Sequence, residues 1–230
     1  MITKATFLKA LGDYRELCGD QLITDNAIKI TQGNFEYVFR ADEVNYVGDG
    51  LEFLLLELTT MDGWTVHGSP QLANGVLALD GDSWLTRDAI ALGGRDFQIS
   101  GKVFEDSDDM IARRKIFELY TSATLNLSLY SSGAGKNLDL YGNIGGSEFD
   151  VYNEPAIIER EYSFALKWRQ SASKLTLEID GREIYSRIVD GLTEQKTFDK
   201  LLIGAGEYHP NSTWRGTISN FRIFDGFAEN

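Results

Sequence analysis

Hydrophobic positions along this chain change their period once. Near the start, Phe7, Leu11, Tyr14 and Cys18 recur at three- to four-residue spacing, with Leu8 alongside, which predicts one amphipathic helix. Thr3 or Thr6 supplies its N-cap, and Gly19 stands where a C-terminal cap belongs. After that the period is two. Ile28 and Ile30 alternate, Gln32-Gly33-Asn34 turns, and Phe35, Tyr37 and Phe39 alternate again, predicting a hairpin. Leu51–Thr60 predicts a further strand.

From Met61 the chain reads as short strands between Gly, Asn, Asp and Ser turns. Val76–Leu79, Phe97–Phe104 and Ile116–Tyr120 are extended runs. Tyr162, Phe164, Leu166 and Trp168 alternate, which places Trp168 in the core. Leu175, Leu177 and Ile179 do the same and end in Asp180-Gly181, a hairpin signal, with Ile184–Ile188 returning. Leu201–Ile203 and Thr217–Phe224 close the series. Many short, evenly spaced strands predict an all-β sandwich or barrel.

An eleven-residue repeat lies inside this region: Leu125–Tyr130, Asn137–Tyr141 and Glu148–Tyr152, separated by the Gly-rich links Ser131–Gly135 and Gly142–Gly146. It predicts a three-strand antiparallel meander. Alternation sends Leu125, Leu127, Leu129, Leu138, Leu140, Phe149 and Val151 to the core. Asn126, Ser128, Tyr130, Asn137, Asp139, Tyr141, Glu148, Asp150, Tyr152 and Glu154 go to the other face. Tyr130 and Tyr152 are expected at one end of that face and Tyr141 at the other.

Composition narrows the partners. With 22 basic and 35 acidic residues the net charge is −13, which repels phosphate backbones and anionic membranes, so nucleic-acid binding is not expected. The densest apolar stretch, Leu51–Leu58, is broken by Glu52 and Glu57, so no membrane insertion is expected. Met1-Ile-Thr-Lys-Ala lacks the layout of a signal peptide. A single cysteine, Cys18, excludes an intrachain disulfide, and two histidines argue against a His-rich metal site. Asn126-Leu-Ser128 and Asn211-Ser-Thr213 match glycosylation sequons and are expected to be chance matches.

Four ordered pieces resemble the laminin-G-like domains of the concanavalin A-like lectin/glucanase superfamily. Leu77-Ala-Leu-Asp80-Gly-Asp-Ser-Trp84 is similar to the opening strand, and Asp96–Ser100 to the next. Glu161–Trp168 with Leu175–Gly181 is similar to the paired strands ending in an Asp-Gly hairpin. Leu202–Gly206, then Gly216-Thr-Ile218 with Arg222-Ile223, is similar to the closing strand. The resemblance implies an all-β, two-sheet antiparallel jelly-roll sandwich over 59–230. Residues 1–58, outside it, form a small α+β segment and a candidate assembly segment for a homo-oligomer through the Phe7, Leu11 and Tyr14 face.

The fold hosts several chemistries, so function must come from sites. Hydroxyl-binding amides and carboxylates beside aromatic rings make Asn126, Tyr130, Asn137, Asp139, Tyr141, Asp150 and Tyr152 candidate ligand-binding residues for a glycan or a protein surface. The plainer alternative is a solvated sheet face. Glu148, Asp150 and Glu154 are a near miss to the retaining-glucanase signature that the resemblance brings in. A retaining mechanism needs carboxyls about 5–5.5 Å apart. Glu148 and Glu154 are six residues apart, about 20 Å in a strand, whereas the pairs Glu148 with Asp150 and Asp150 with Glu154 come closer. The resemblance also implies a structural calcium where the first and last strands meet, with Asp80, Asp82 and Asp225 as ligands. Ordinary Asp-Gly turns are the alternative. Trp64 and Trp214, near His67 and His209, are candidates for a rim. The expected function is a non-enzymatic recognition module on a virion appendage or bacterial surface protein. A glycoside hydrolase and a purely structural protein are the alternatives.

Overall fold

The computed structural model describes residues 27–32, 35–40, 44–47, 50–94, 96–106, 114–132, 137–155, 160–207 and 213–225. The helix expected over Phe7–Cys18 lies outside them. The chain divides into two compact units, Met1–Leu56 with Phe224–Asn230, and Glu57–Ile223.

The first unit carries β1 (Ala27–Gln32), β2 (Phe35–Arg40), β3 (Val44–Val47) and most of β4 (Gly50–Glu57). β1 and β2 form the expected hairpin, with Ile28 opposite Phe39 and Ile30 opposite Tyr37. β3 pairs antiparallel with β4.

The second unit follows the chain order β5 (Thr65–His67), β6 (Gln71–Ala73), β7 (Val76–Asp80), β8 (Trp84–Gly93) and β9 (Phe97–Glu105). Then come β10 (Arg114–Ser122), β11 (Leu125–Ser132), β12 (Asn137–Ile144), β13 (Ser147–Pro155), β14 (Tyr162–Arg169) and β15 (Lys174–Ile179). β16 (Arg182–Ile188), β17 (Gln195–Ile203) and β18 (Arg215–Asp225) complete it. One sheet has seven strands in the order β13-β12-β11-β10-β17-β8-β5. The other runs β16-β15-β14-β9-β18, and β7 pairs with the first half of β18 and carries β6 at its side. The two sheets make an all-β antiparallel jelly-roll sandwich.

Alternation builds the core between the sheets. In β14 every second residue is buried: Tyr162, Phe164, Leu166 and Trp168. In β9 the same holds for Phe97, Ile99 and Val103. Phe117 of β10 meets Phe164 at 6.0 Å and Phe221 edge-on at 5.8 Å, joining one sheet to the other. Each such fully buried side chain contributes about 2 kcal/mol of burial free energy.

The turns match their residues. Asp180 and Gly181 have φ of 50° and 76°, the pair of positive values that a type I′ hairpin requires. Asn74-Gly75, with φ of 52° and 72°, makes an equally tight link between β6 and β7. Strands β3, β5, β6 and β8 were missed by sequence, and β8 is the longest of them. Its middle residues, Asp88 and Ala89, are exposed, so the apolar alternation that marks a strand is broken there.

Candidate functional site

The face of the seven-stranded sheet that points away from the sandwich core is polar across its width. Pairing registers lay it out in rows. One row runs Asp88, Lys200, Tyr120, Asn126, Asn143, Glu148, from β8 to β13. The next runs Thr86, Leu202, Glu118, Ser128, Tyr141, Asp150. A third holds Lys115, Tyr130, Asp139 and Tyr152.

Much of this face is covered rather than solvated, contrary to the expectation for a polar sheet surface. Ser128 and Asp139 are 0% exposed and Tyr130 is 1% exposed. A buried ion pair lies among them. Lys115 Nζ donates to Glu118 Oε1 at 3.1 Å and to Ser128 Oγ at 2.7 Å, and sits 4.9 Å from the centre of the Tyr130 ring. The chain just after β17 closes over this pair. The Glu207 amide donates to Glu118 Oε2 at 2.6 Å, and Lys200 Nζ donates to Glu207 Oε1 at 2.6 Å. Position 206 is tight, since a Cβ there would come within 3.1 Å of Lys115 Cγ and Cε.

The face opens toward β12 and β13. Tyr141 is half-buried, while Glu148 and Asp150 are exposed. The Tyr141 hydroxyl donates to Glu148 Oε1 at 3.3 Å, and the Tyr130 hydroxyl donates to Asp150 Oδ1 at 3.1 Å. Each carboxylate is thereby oriented by a phenol. Asn126 is buried beside this rim. Its Nδ2 donates to the carbonyls of Ser122 and Ala123, both at 3.1 Å, which anchors the amide to the β10–β11 turn.

The structure therefore brings Asn126, Tyr130, Asp139, Tyr141 and Asp150 onto one face. It also corrects their spacing. Tyr141 lies one row from Tyr130 and Tyr152 rather than at the opposite end, because Tyr130 pairs with Asp139 and Tyr141 with Ser128. Asn137 pairs with Pro155 at the start of β12. The side chains of Asn137, Tyr152 and Glu154 lie outside the described ones.

The proposed calcium ligands are not brought together. Asp80 pairs with Arg215 at the start of β18, and Asp225 ends that strand ten residues later, about 33 Å along an extended chain. Asp80 Oδ1 instead accepts the Ser83 hydroxyl at 2.7 Å and the Asp82 amide at 3.0 Å, a closed turn. These bonds, the Ser83 hydroxyl first, hold the Asp80 carboxyl below its ordinary pKa. Among the described residues no group of three His, Cys, Asp or Glu side chains is arranged around a metal position.

Of the aromatic candidates, Trp168 and Trp214 are both fully buried, so Trp214 is no rim residue. Trp84 is half-buried and stacks on His67 at 4.6 Å, and Arg87 lies 5.8 Å from the Trp64 ring. These side chains sit at the β5–β8 edge, and His209 lies outside the described residues.

No protein-family profile matches the sequence, and no curated protein matches it. Solved structures do match. Domain 4 of AbnA, an extracellular arabinanase of Geobacillus stearothermophilus solved in complex with arabinotriose, superposes with a TM-score of 0.59 at 15% identity over 74% of this chain and 87% of that one. The shared fold is a two-sheet antiparallel jelly-roll sandwich. The binding domain of botulinum neurotoxin serotype D gives 0.53 at 12% identity, over 72% of this chain and 44% of that one. Mouse laminin α1 LG4–5 gives 0.45 at 16% identity, over 59% of this chain and 38% of that one.

Proposed function

We propose that this jelly roll is a non-enzymatic carbohydrate-recognition module, and that it binds through the open side of its polar face. One observation carries the reading: the half-buried ring of Tyr141 stands beside exposed Glu148, which it hydrogen-bonds, and exposed Asp150. Sugars are recognised by this combination. Carboxylates accept hydroxyl protons, and an aromatic ring packs against the C–H face of the sugar. Because phenol hydroxyls already orient Glu148 and Asp150, less ordering cost remains at binding. Glu148 and Asp150 follow one another on one face of β13, about 7 Å apart along the strand. That spacing suits two contacts to one saccharide.

The test is a glycan array with wild type beside Tyr141→Ala, followed by titration calorimetry on any hit. Arabinotriose is the first soluble probe, because the structurally similar AbnA domain was solved with it. The expected result is selective binding that weakens about tenfold or more in Tyr141→Ala. A blank array for folded protein overturns the reading.

A further inference from the structure

Asn126 and Asn143 face each other across β11 and β12. Asn126 is 5% exposed, and its two donor bonds to the carbonyls of Ser122 and Ala123 fix which way the amide points. Its Oδ1 is buried and has no hydrogen-bond partner among the described residues, and the same is true of Asn143 Oδ1. A buried acceptor without a donor is a standing penalty. Opposed residues in a ladder have Cβ atoms only about 5 Å apart. A half-turn of the Asn143 amide, whose two ends are nearly the same size, would exchange its buried oxygen for an NH₂ able to donate to Asn126 Oδ1, and would place the oxygen where the NH₂ stood. Asn143 is half-buried. The outward atoms from Asn143 to Glu148, its partner on β13, then all accept hydrogen bonds.

The charges on this face point the same way. Lys115 is buried against Glu118, and Lys200 pairs with Glu207 at 2.6 Å. Asp88, Glu148 and Asp150 are exposed. We propose that Asn143, oriented by the buried Asn126, and Glu148 form an acceptor pair that selects ligands rich in hydroxyl donors and free of negative charge, a neutral saccharide rather than a uronate, sialylated or sulfated one. This rests on the carbohydrate reading above.

The experiment compares neutral arabinan with polygalacturonate, by affinity electrophoresis and calorimetry in about 0.1 M salt. It uses the full chain as wild type, Asn143→Ala and Glu148→Lys, with a melting curve for each. We expect wild type to bind the neutral polymer at least about tenfold tighter than the acidic one. Asn143→Ala should weaken neutral binding several-fold and lower the melting temperature slightly, because the buried Asn126 Oδ1 loses its donor, while Glu148→Lys should narrow or reverse the preference. Tighter binding of polygalacturonate by wild type overturns the proposal while leaving carbohydrate recognition standing. Neutral binding untouched by both variants, yet lost in Tyr141→Ala, does the same. Failure to bind either polymer, with a blank array, removes the carbohydrate reading and this inference together.

Discussion

The ring of Phe149 on β13 lies over Gly142, its directly opposed partner on β12. A Cβ at position 142 would meet the ring face, coming within 2.8 Å of its Cε1. The Arg187 guanidinium of β16 sits 5.6 Å from the ring centre. Phe149 thus contacts both a glycine of its own sheet and a cation of β16 in the other. An aromatic that covers a cross-strand glycine pins strand register. Register decides which side chains reach the polar face, since a one-residue slip sends every side chain of β13 to the other side.

Gly142→Ala should therefore destabilise the domain by about 1–3 kcal/mol, the cost of overpacking a filled site. Chemical denaturation measures this directly. The double variant Gly142→Ala with Phe149→Leu should recover part of the loss, because the smaller side chain makes room. A neutral Gly142→Ala, with no change in denaturation midpoint, would show that the ring moves aside freely.

The repeat shows how far the sequence could be read. Its three strands, their antiparallel order and the inward set Leu127, Leu129, Leu140 and Phe149 follow from period-two alternation and Gly-rich links. The Asp180-Gly181 turn was equally legible, because few residue pairs accept two positive φ values. Asn74-Gly75 carried the same signal. What alternation could not reveal is which polar residues are covered. Ser128, Tyr130 and Asp139 look like surface positions in sequence, yet they are buried. Part of the reason is a bond between the Glu207 amide and Glu118, residues 89 positions apart. The row order failed for a related reason. Placing Tyr141 away from Tyr130 assumed that the repeat copies pair end to end, whereas the registers through β11–β13 put them in adjacent rows.

The covered ion pair makes its own prediction. Lys115 and Glu118 have side chains only 7% and 8% exposed, so removing one charge strands the other without water. Lys115→Met alone should cost about 3–5 kcal/mol. Lys115→Met combined with Glu118→Gln should cost clearly less, because no lone charge remains and the amide oxygen still accepts from Glu207. A double-mutant cycle by urea denaturation reads this as a coupling energy. Additive single effects would mean that water reaches the pair.

Gly216 supports the closing strand in a different way. Its φ is +133°, and a Cβ there would fall 2.9 Å from the Asp106 amide nitrogen and 3.0 Å from Glu105 Cα, and closer still to the Phe104 carbonyl oxygen. Backbone cannot yield as a flexible side chain does. Gly216→Ala should lower stability by more than about 2 kcal/mol and reduce soluble yield. Gly181→Ala, at a turn where nothing lies within 4 Å of the added carbon, should suffer only from its positive φ and cost about 1 kcal/mol. Equal melting temperatures for the two variants would contradict the crowding argument.

Tyr162 links the buried end of the sandwich to pH. It is 4% exposed, and burial raises its phenol pKa, with the negative charges of Glu105 and Asp180 pushing the same way. The folded value therefore lies well above that of the unfolded chain, near 10. A proton held more tightly in the folded state stabilises that state. The contribution is fully present below about pH 10 and declines as the pH rises above the unfolded value. Stability should accordingly fall with a slope of one bound proton once the pH passes about 10, and unfolding, rather than simple titration, should release the last phenolate signal. Ultraviolet titration of wild type against Tyr162→Phe tests this. The variant should lose one late-titrating phenol and have a shallower alkaline stability slope. A Tyr162 that ionises with the exposed tyrosines, well before the fold is lost, would place water at this end of the core.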